Sequence, residues 1–173
     1  MALIVEDGTG LDDAESFAAV AYADAYWLAR GGASWAALSE GAKEIALRLA
    51  TDYMEIRWRS RWKGLRLTAG QALAWPRSDV VDEDGYDVAA DAVPTRVANA
   101  CVEYAFRAAS GDLIPDPETD ATGGTVTRKR EKVGPIEEET EYLLTSSVKT
   151  IKPYPKADRT LRGLLLAGGG VIR

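Results

Sequence analysis

The sequence predicts a mainly α-helical protein, a small helical bundle carrying an extended β-hairpin arm and a C-terminal tail. Apolar residues recur at three-and-four spacing in separate stretches before residue 112. A charged segment with rough alternation, "VTRKREKVGPIEEETEYLL", follows, broken at Gly134-Pro135. Between them lies "DLIPDPETDATGGT", whose Pro, Asp and Gly content marks a surface loop. The expected organisation is a helical core over 1–112, a loop over 113–125, a β arm over 126–150 and a docking segment over 151–173.

In chain order, "VAYADAYWLARGG" reads as a helix with Val20, Ala23, Trp27 and Leu28 on one face and a stop at Gly31-Gly32. Ser39 can cap a longer helix from Glu40 to about Ile56. Its expected stripe is Leu38, Ala42, Ile45, Leu49, Tyr53 and Ile56, with Glu44, Arg48 and Asp52 forming a charge ladder on another face. Thr68 opens a short predicted helix, "TAGQALAW", that must end near Trp75 because Pro76 disfavours helical geometry before it. A short hairpin near 79–90 should turn at Asp84-Gly85. Pro94 suits the first position of a helix with Val97, Cys101, Ala105 and Ala108 on one face, closed by Gly111. A late short helix, "KADRTLRGLLLA", precedes "GGGVIR".

The bulk composition narrows the function. With 21 Lys and Arg against 27 Asp and Glu, the net charge of −6 argues against a surface that grips phosphate everywhere, although a local strip can. Cys101 is the only cysteine, so an intrachain disulfide and a cysteine-based zinc site are excluded. Histidine is absent, which removes Ser-His-Asp and Cys-His centres and the usual general base. No enzyme, cofactor or metal is expected, and no membrane span; a carboxylate-based hydrolase in the Asp79–Asp91 segment is the weakest option.

Two segments of opposite charge stand out. "IRWRSRWKGLR" holds Arg57, Arg59, Arg61, Lys63 and Arg66, interleaved with Trp58 and Trp62. Arginines among stacking aromatics suit single-stranded nucleic acid, while the plainer reading packs the tryptophans inward. "SDVVDEDGYDV" resembles a calcium loop only in part: Val80 falls where the first ligand belongs, so a solvated hairpin tip or an ionic contact is favoured. The Gly-rich pieces "GGASW", "ATGGT" and "AGGGV" lack the lysine of a phosphate loop.

The segments "ADAYWLARG", "AALSEGAKEIALRLATDYME", "RWKGLRLTAGQALAWPR", "DEDGYDV", "VPTRVANACVEYAFRAASGDLIPD" and "KREKVGPIEEE" resemble a family of tailed-phage proteins described as DnaT-like single-stranded-DNA-binding proteins. The order of elements also resembles phage head–tail connectors. That second resemblance implies a structural virion protein of the neck, made in the host cytoplasm. It would form a ring of about twelve copies beneath the portal, head to tail. It would touch the portal protein and a tail terminator or other neck protein, and genomic DNA would pass without sequence-specific binding. On this reading Arg57, Arg59, Arg61 and Lys63 meet Asp82, Glu83, Asp84 and Asp87 of the next copy. Arg128, Arg130, Lys132, Glu137 and Glu139 make arm contacts, and Tyr154, Leu161, Leu164 and Leu165 dock on the portal. The alternative is single-stranded-DNA binding in phage replication, with Trp58 and Trp62 as the stacking residues.

Overall fold

The computed structural model describes residues 2–115 and 152–166, together with the backbone of 126–132 and 137–142. It is mainly helical with a small antiparallel hairpin, the architecture the periodicity predicts. The helices are α1 (Val20–Leu28), α2 (Ala33–Ala36), α3 (Glu40–Trp58), α4 (Thr95–Ala108) and α5 (Pro155–Thr160). Strands β1 (Leu65–Arg66) and β2 (Arg77–Ser78) pair with each other, as do β3 (Val126–Lys132) and β4 (Glu137–Tyr142). The described residues divide into two compact units, one drawn from 1–113 and 153–173 and the other from 114–152. No helix among them is long and apolar enough to cross a membrane.

The core sits where α3 crosses α4. Ser39 caps α3 by accepting the Ala42 N–H at 3.3 Å. The face that α3 buries is Ala46, Leu47, Ala50, Thr51, Tyr53, Met54 and Trp58. From α4 it receives Val97, Ala100, Cys101, Val102, Tyr104 and Ala105. Alanines on both sides let the backbones approach, so the bulk comes from Leu47, Met54 and the rings. The expected stripe is therefore wrong in three of its members: Ile45, Leu49 and Ile56 point away from α4 and are exposed. The chain carries two apolar rows on α3, and packing against small residues selects the other one.

The residues 68–75 do not form the predicted helix. Thr68 and Gln71 do make the reciprocal bonds of a helix-capping box, at 3.1 and 2.8 Å. Propagation fails because the next groups are bonded elsewhere. The Gln71 amide donates to the Leu73 and Pro76 carbonyls, and the Ala74 N–H goes to the Glu55 carboxylate at 2.8 Å. Leu73, Ala74 and Trp75 are drawn into the core instead, where Trp75 meets Trp62 edge to face at 5.6 Å. The Trp75–Pro76 bond is cis.

Helix α5 is tied to the core by two polar clusters. The Asp158 carboxylate accepts from Tyr104 Oη at 2.6 Å, Arg57 Nη2 at 2.7 Å and its own Tyr154 N–H at 3.2 Å. Glu103, almost fully buried on α4, accepts from Tyr26 Oη at 2.8 Å and pairs with Arg107 and Lys156. Burial and the neighbouring Asp158 carboxylate push the Tyr104 phenol far up. Above these clusters the rings of Tyr53, Tyr104 and Tyr154 pack together.

Candidate nucleic-acid interface

The basic segment after α3 is zipped to the segment after α5. Lys63 donates its backbone N–H to the Leu164 carbonyl at 3.0 Å, and the Leu166 N–H returns to the Arg61 carbonyl at 2.8 Å. Trp62 and Leu165 form the antiparallel bridge between these bonds. From the opposite side Arg77, buried, holds the same segment: its guanidinium donates to the carbonyls of Lys63 at 2.7 Å, Gly64 at 2.6 Å and Ala74 at 3.1 Å. Burial pulls its pKa below the ordinary arginine value.

Where the two segments run side by side, a groove of about 570 Å³ opens. Its lining includes Arg61, Lys63, Arg159 and Arg162, with Leu165, Leu166 and Pro155 supplying apolar surface. Asp158 is the one acid among the lining residues, and Arg57 and Tyr104 already occupy it. Four cationic side chains and one acid that is already paired thus line the groove, on a chain whose net charge is −6. A second cavity of about 630 Å³, beside α1 and α2, is walled by Trp27, Trp35 and Leu28, with Asp24 and Lys43 paired at its rim. Its apolar walls and single paired cation do not suit phosphate.

The residues singled out in the sequence fall in several places. Arg57 is bonded to Asp158 and to Tyr53 Oη at 2.6 Å, and Arg59 to Glu55 at 2.7 Å. Arg61 lies over the Trp58 ring at 5.2 Å. Lys63 Nζ donates to the carbonyls of Val81 at 2.9 Å and Gly163 at 2.8 Å. Asp82 caps its own turn by accepting the Asp84 and Tyr86 N–H groups, which hold its carboxyl below the usual range. Glu83 pairs with Arg96 at 2.7 Å, while Asp84 and Asp87 are exposed. So Arg57, Arg59 and Glu83, assigned to a neighbouring copy, have intrachain ion pairs, and Asp82 is taken up by its own loop. Tyr154, Leu161, Leu164 and Leu165, assigned to the portal, are buried in this chain's own core.

Trp58 and Trp62 are core residues as well. They are 5% and 3% exposed, and Trp58 Nε1 donates to Tyr104 Oη at 3.1 Å. Trp58 nonetheless lines the groove, beneath the Arg61 guanidinium, while Trp62 does not line it. In the β3–β4 hairpin, Arg130 stands across from Glu139 and Lys132 across from Glu137, with Arg128 opposite Glu141. The side chains of these arm residues, and any contacts they make, lie outside the described residues. The groove cations absent from the sequence reading are Arg159 and Arg162. Their signal was present: both are polar positions between the apolar Ala157, Leu161, Leu164 and Leu165, and so face outward when those turn in.

Among the described residues the helical unit carries a cation-lined groove. The chain belongs to the family described as "Putative DnaT-like ssDNA binding protein", whose model matches residues 1–173. No curated protein matches the chain significantly, and no solved structure does. The family match overturns the connector reading, with its virion neck, portal contact and ring of copies: the family's description names a single-stranded-DNA binder.

Proposed function

We propose that this protein binds single-stranded DNA, without sequence specificity and without chemistry of its own, through the groove between residues 61–63 and 159–166. The observation that carries this reading is the concentration of Arg61, Lys63, Arg159 and Arg162 around one depression of an otherwise acidic chain. Phosphates would run along these cations, and release of their counterions would drive association. The general acidity then keeps nucleic acid off the rest of the surface.

Base contacts take a different form from the one the tryptophans suggested. The Arg61 guanidinium lies over Trp58 and can carry a base on its plane, as arginines do in single-strand readers. Leu166, 53% exposed, adds an apolar ledge beside it. Such a platform needs unpaired bases, so duplex DNA should bind more weakly than a single strand of equal length.

Anisotropy of a labelled oligo(dT) tests the proposal. Binding is expected at low salt, with log K falling against log salt at a slope of roughly −3 for about four phosphate contacts on a single strand. An unlabelled duplex should compete poorly. No binding at low salt, or equal competition by the duplex, would remove the reading.

A further inference from the structure

The groove has unlike ends. Its two backbone segments run from the Arg61–Leu166 bond to the Lys63–Leu164 bond, and a hairpin over residues 80–88 stands against the second. Lys63 Nζ donates to the Val81 carbonyl of that hairpin at 2.9 Å and to the Gly163 carbonyl at 2.8 Å. Gly163 has no room for a side chain, because a Cβ there would meet the Glu83 carboxylate and the Arg96 guanidinium. The hairpin is closed by the Val81–Asp87 bridge and by the N–H groups of Val88 and Asp82, which donate to Val80 and Tyr86 at 2.9 Å. Asp87 is therefore one strand spacing, about 5 Å, from the residue whose carbonyl holds Lys63. Asp82, Glu83, Asp84 and Asp87 gather on this hairpin. Arg96 pairs with Glu83 at 2.7 Å and lies near Asp82 and Asp84. Asp84 and Asp87 are exposed and have no ion pair among the described residues.

We infer that this acidic hairpin makes the groove selective for single strands, by repelling any nucleic acid that must run straight on past Lys63. The inference rests on the groove being the nucleic-acid site. A duplex has a persistence length of about 150 base pairs, so it cannot turn aside within the width of one small domain. Its second strand brings further phosphates up to Asp84 and Asp87. A single strand can lie on Arg61, Lys63, Arg159 and Arg162 and turn away before it reaches Asp87. Each carboxylate–phosphate repulsion at about 10 Å is small and partly screened, but several act together on a stiff duplex. This selection works by exclusion. It is separate from the Arg61 and Leu166 platform, which favours unpaired bases by attraction.

Anisotropy of the full chain with a labelled oligo(dT) and a labelled duplex of equal length, in about 0.1 M salt, reads both affinities. The double variant Asp84→Asn with Asp87→Asn keeps the size of each side chain and removes its charge. It should raise duplex affinity about tenfold and oligo(dT) affinity less than about threefold. Glu40→Lys changes the net charge by the same two units at the first turn of α3, about 27 Å along the helix from Trp58 at the groove. It should raise both affinities by no more than about twofold. A hairpin variant that lifts both ligands by the same factor, or leaves the duplex where it was, would overturn the inference. So would an equal gain in duplex affinity from Glu40→Lys, because net charge would then set the preference. Failure of the unaltered chain to bind oligo(dT) is a separate result, and it removes the groove reading itself.

Discussion

Replacing Arg77 with methionine is expected to destabilise the protein by on the order of 3–5 kcal/mol, read from urea unfolding. Methionine fills similar volume, so little of the loss comes from packing. It comes from the buried carbonyl of Ala74 and the half-buried carbonyls of Lys63 and Gly64, which would lose their donor. An orphaned buried carbonyl costs about 1–3 kcal/mol. Arg77→Lys should recover only part of the loss, since an ammonium cannot span three carbonyls with the fixed fork of a guanidinium. The same variant should also weaken DNA binding, because Arg77 fixes the backbone that carries Lys63. A change below about 1 kcal/mol would show that water replaces the guanidinium without cost.

Reversing two groove charges together, Arg159→Glu with Arg162→Glu, should leave stability nearly unchanged and abolish most affinity for a single strand. Both side chains are exposed, so neither contributes buried surface to the fold. Each reversal removes an attraction and adds a repulsion, so the pair amounts to about 3 kcal/mol at low salt, roughly a hundredfold in affinity. A single reversal of Arg96, a residue of α4 that pairs with Glu83 and does not line the groove, should cost DNA binding less. If the single Arg96 reversal costs half as much as the double reversal, overall charge and not the groove controls binding.

The helices were legible in the sequence because long periodic stretches bounded by Ser39, Gly31 and Pro94 carry their own start and stop signals. Which face of α3 turns inward was not legible. Two rows share the helical period, and the choice depends on the alanines of α4, which local spacing cannot report. The segment 68–75 shows the same limit: its capping box formed, yet Glu55 and Gln71 bonded the groups a helix needs. As for the site, the basic half was visible as a run of Arg and Lys. Trp interleaved with Arg looks alike whether the rings face solvent or Tyr104, so the sequence leaves the inward reading and the stacking alternative side by side. The other half lies about a hundred residues downstream, brought in by the Trp62–Leu165 bridge, a pairing with no local signature.

The central claim, that the groove is where nucleic acid sits, is tested most directly by amide chemical-shift mapping during titration with oligo(dT). The account predicts the largest perturbations at Arg61, Lys63, Arg159, Arg162 and Leu166, saturating together. Perturbations confined to residues outside the groove, or none at saturating strand, would contradict it.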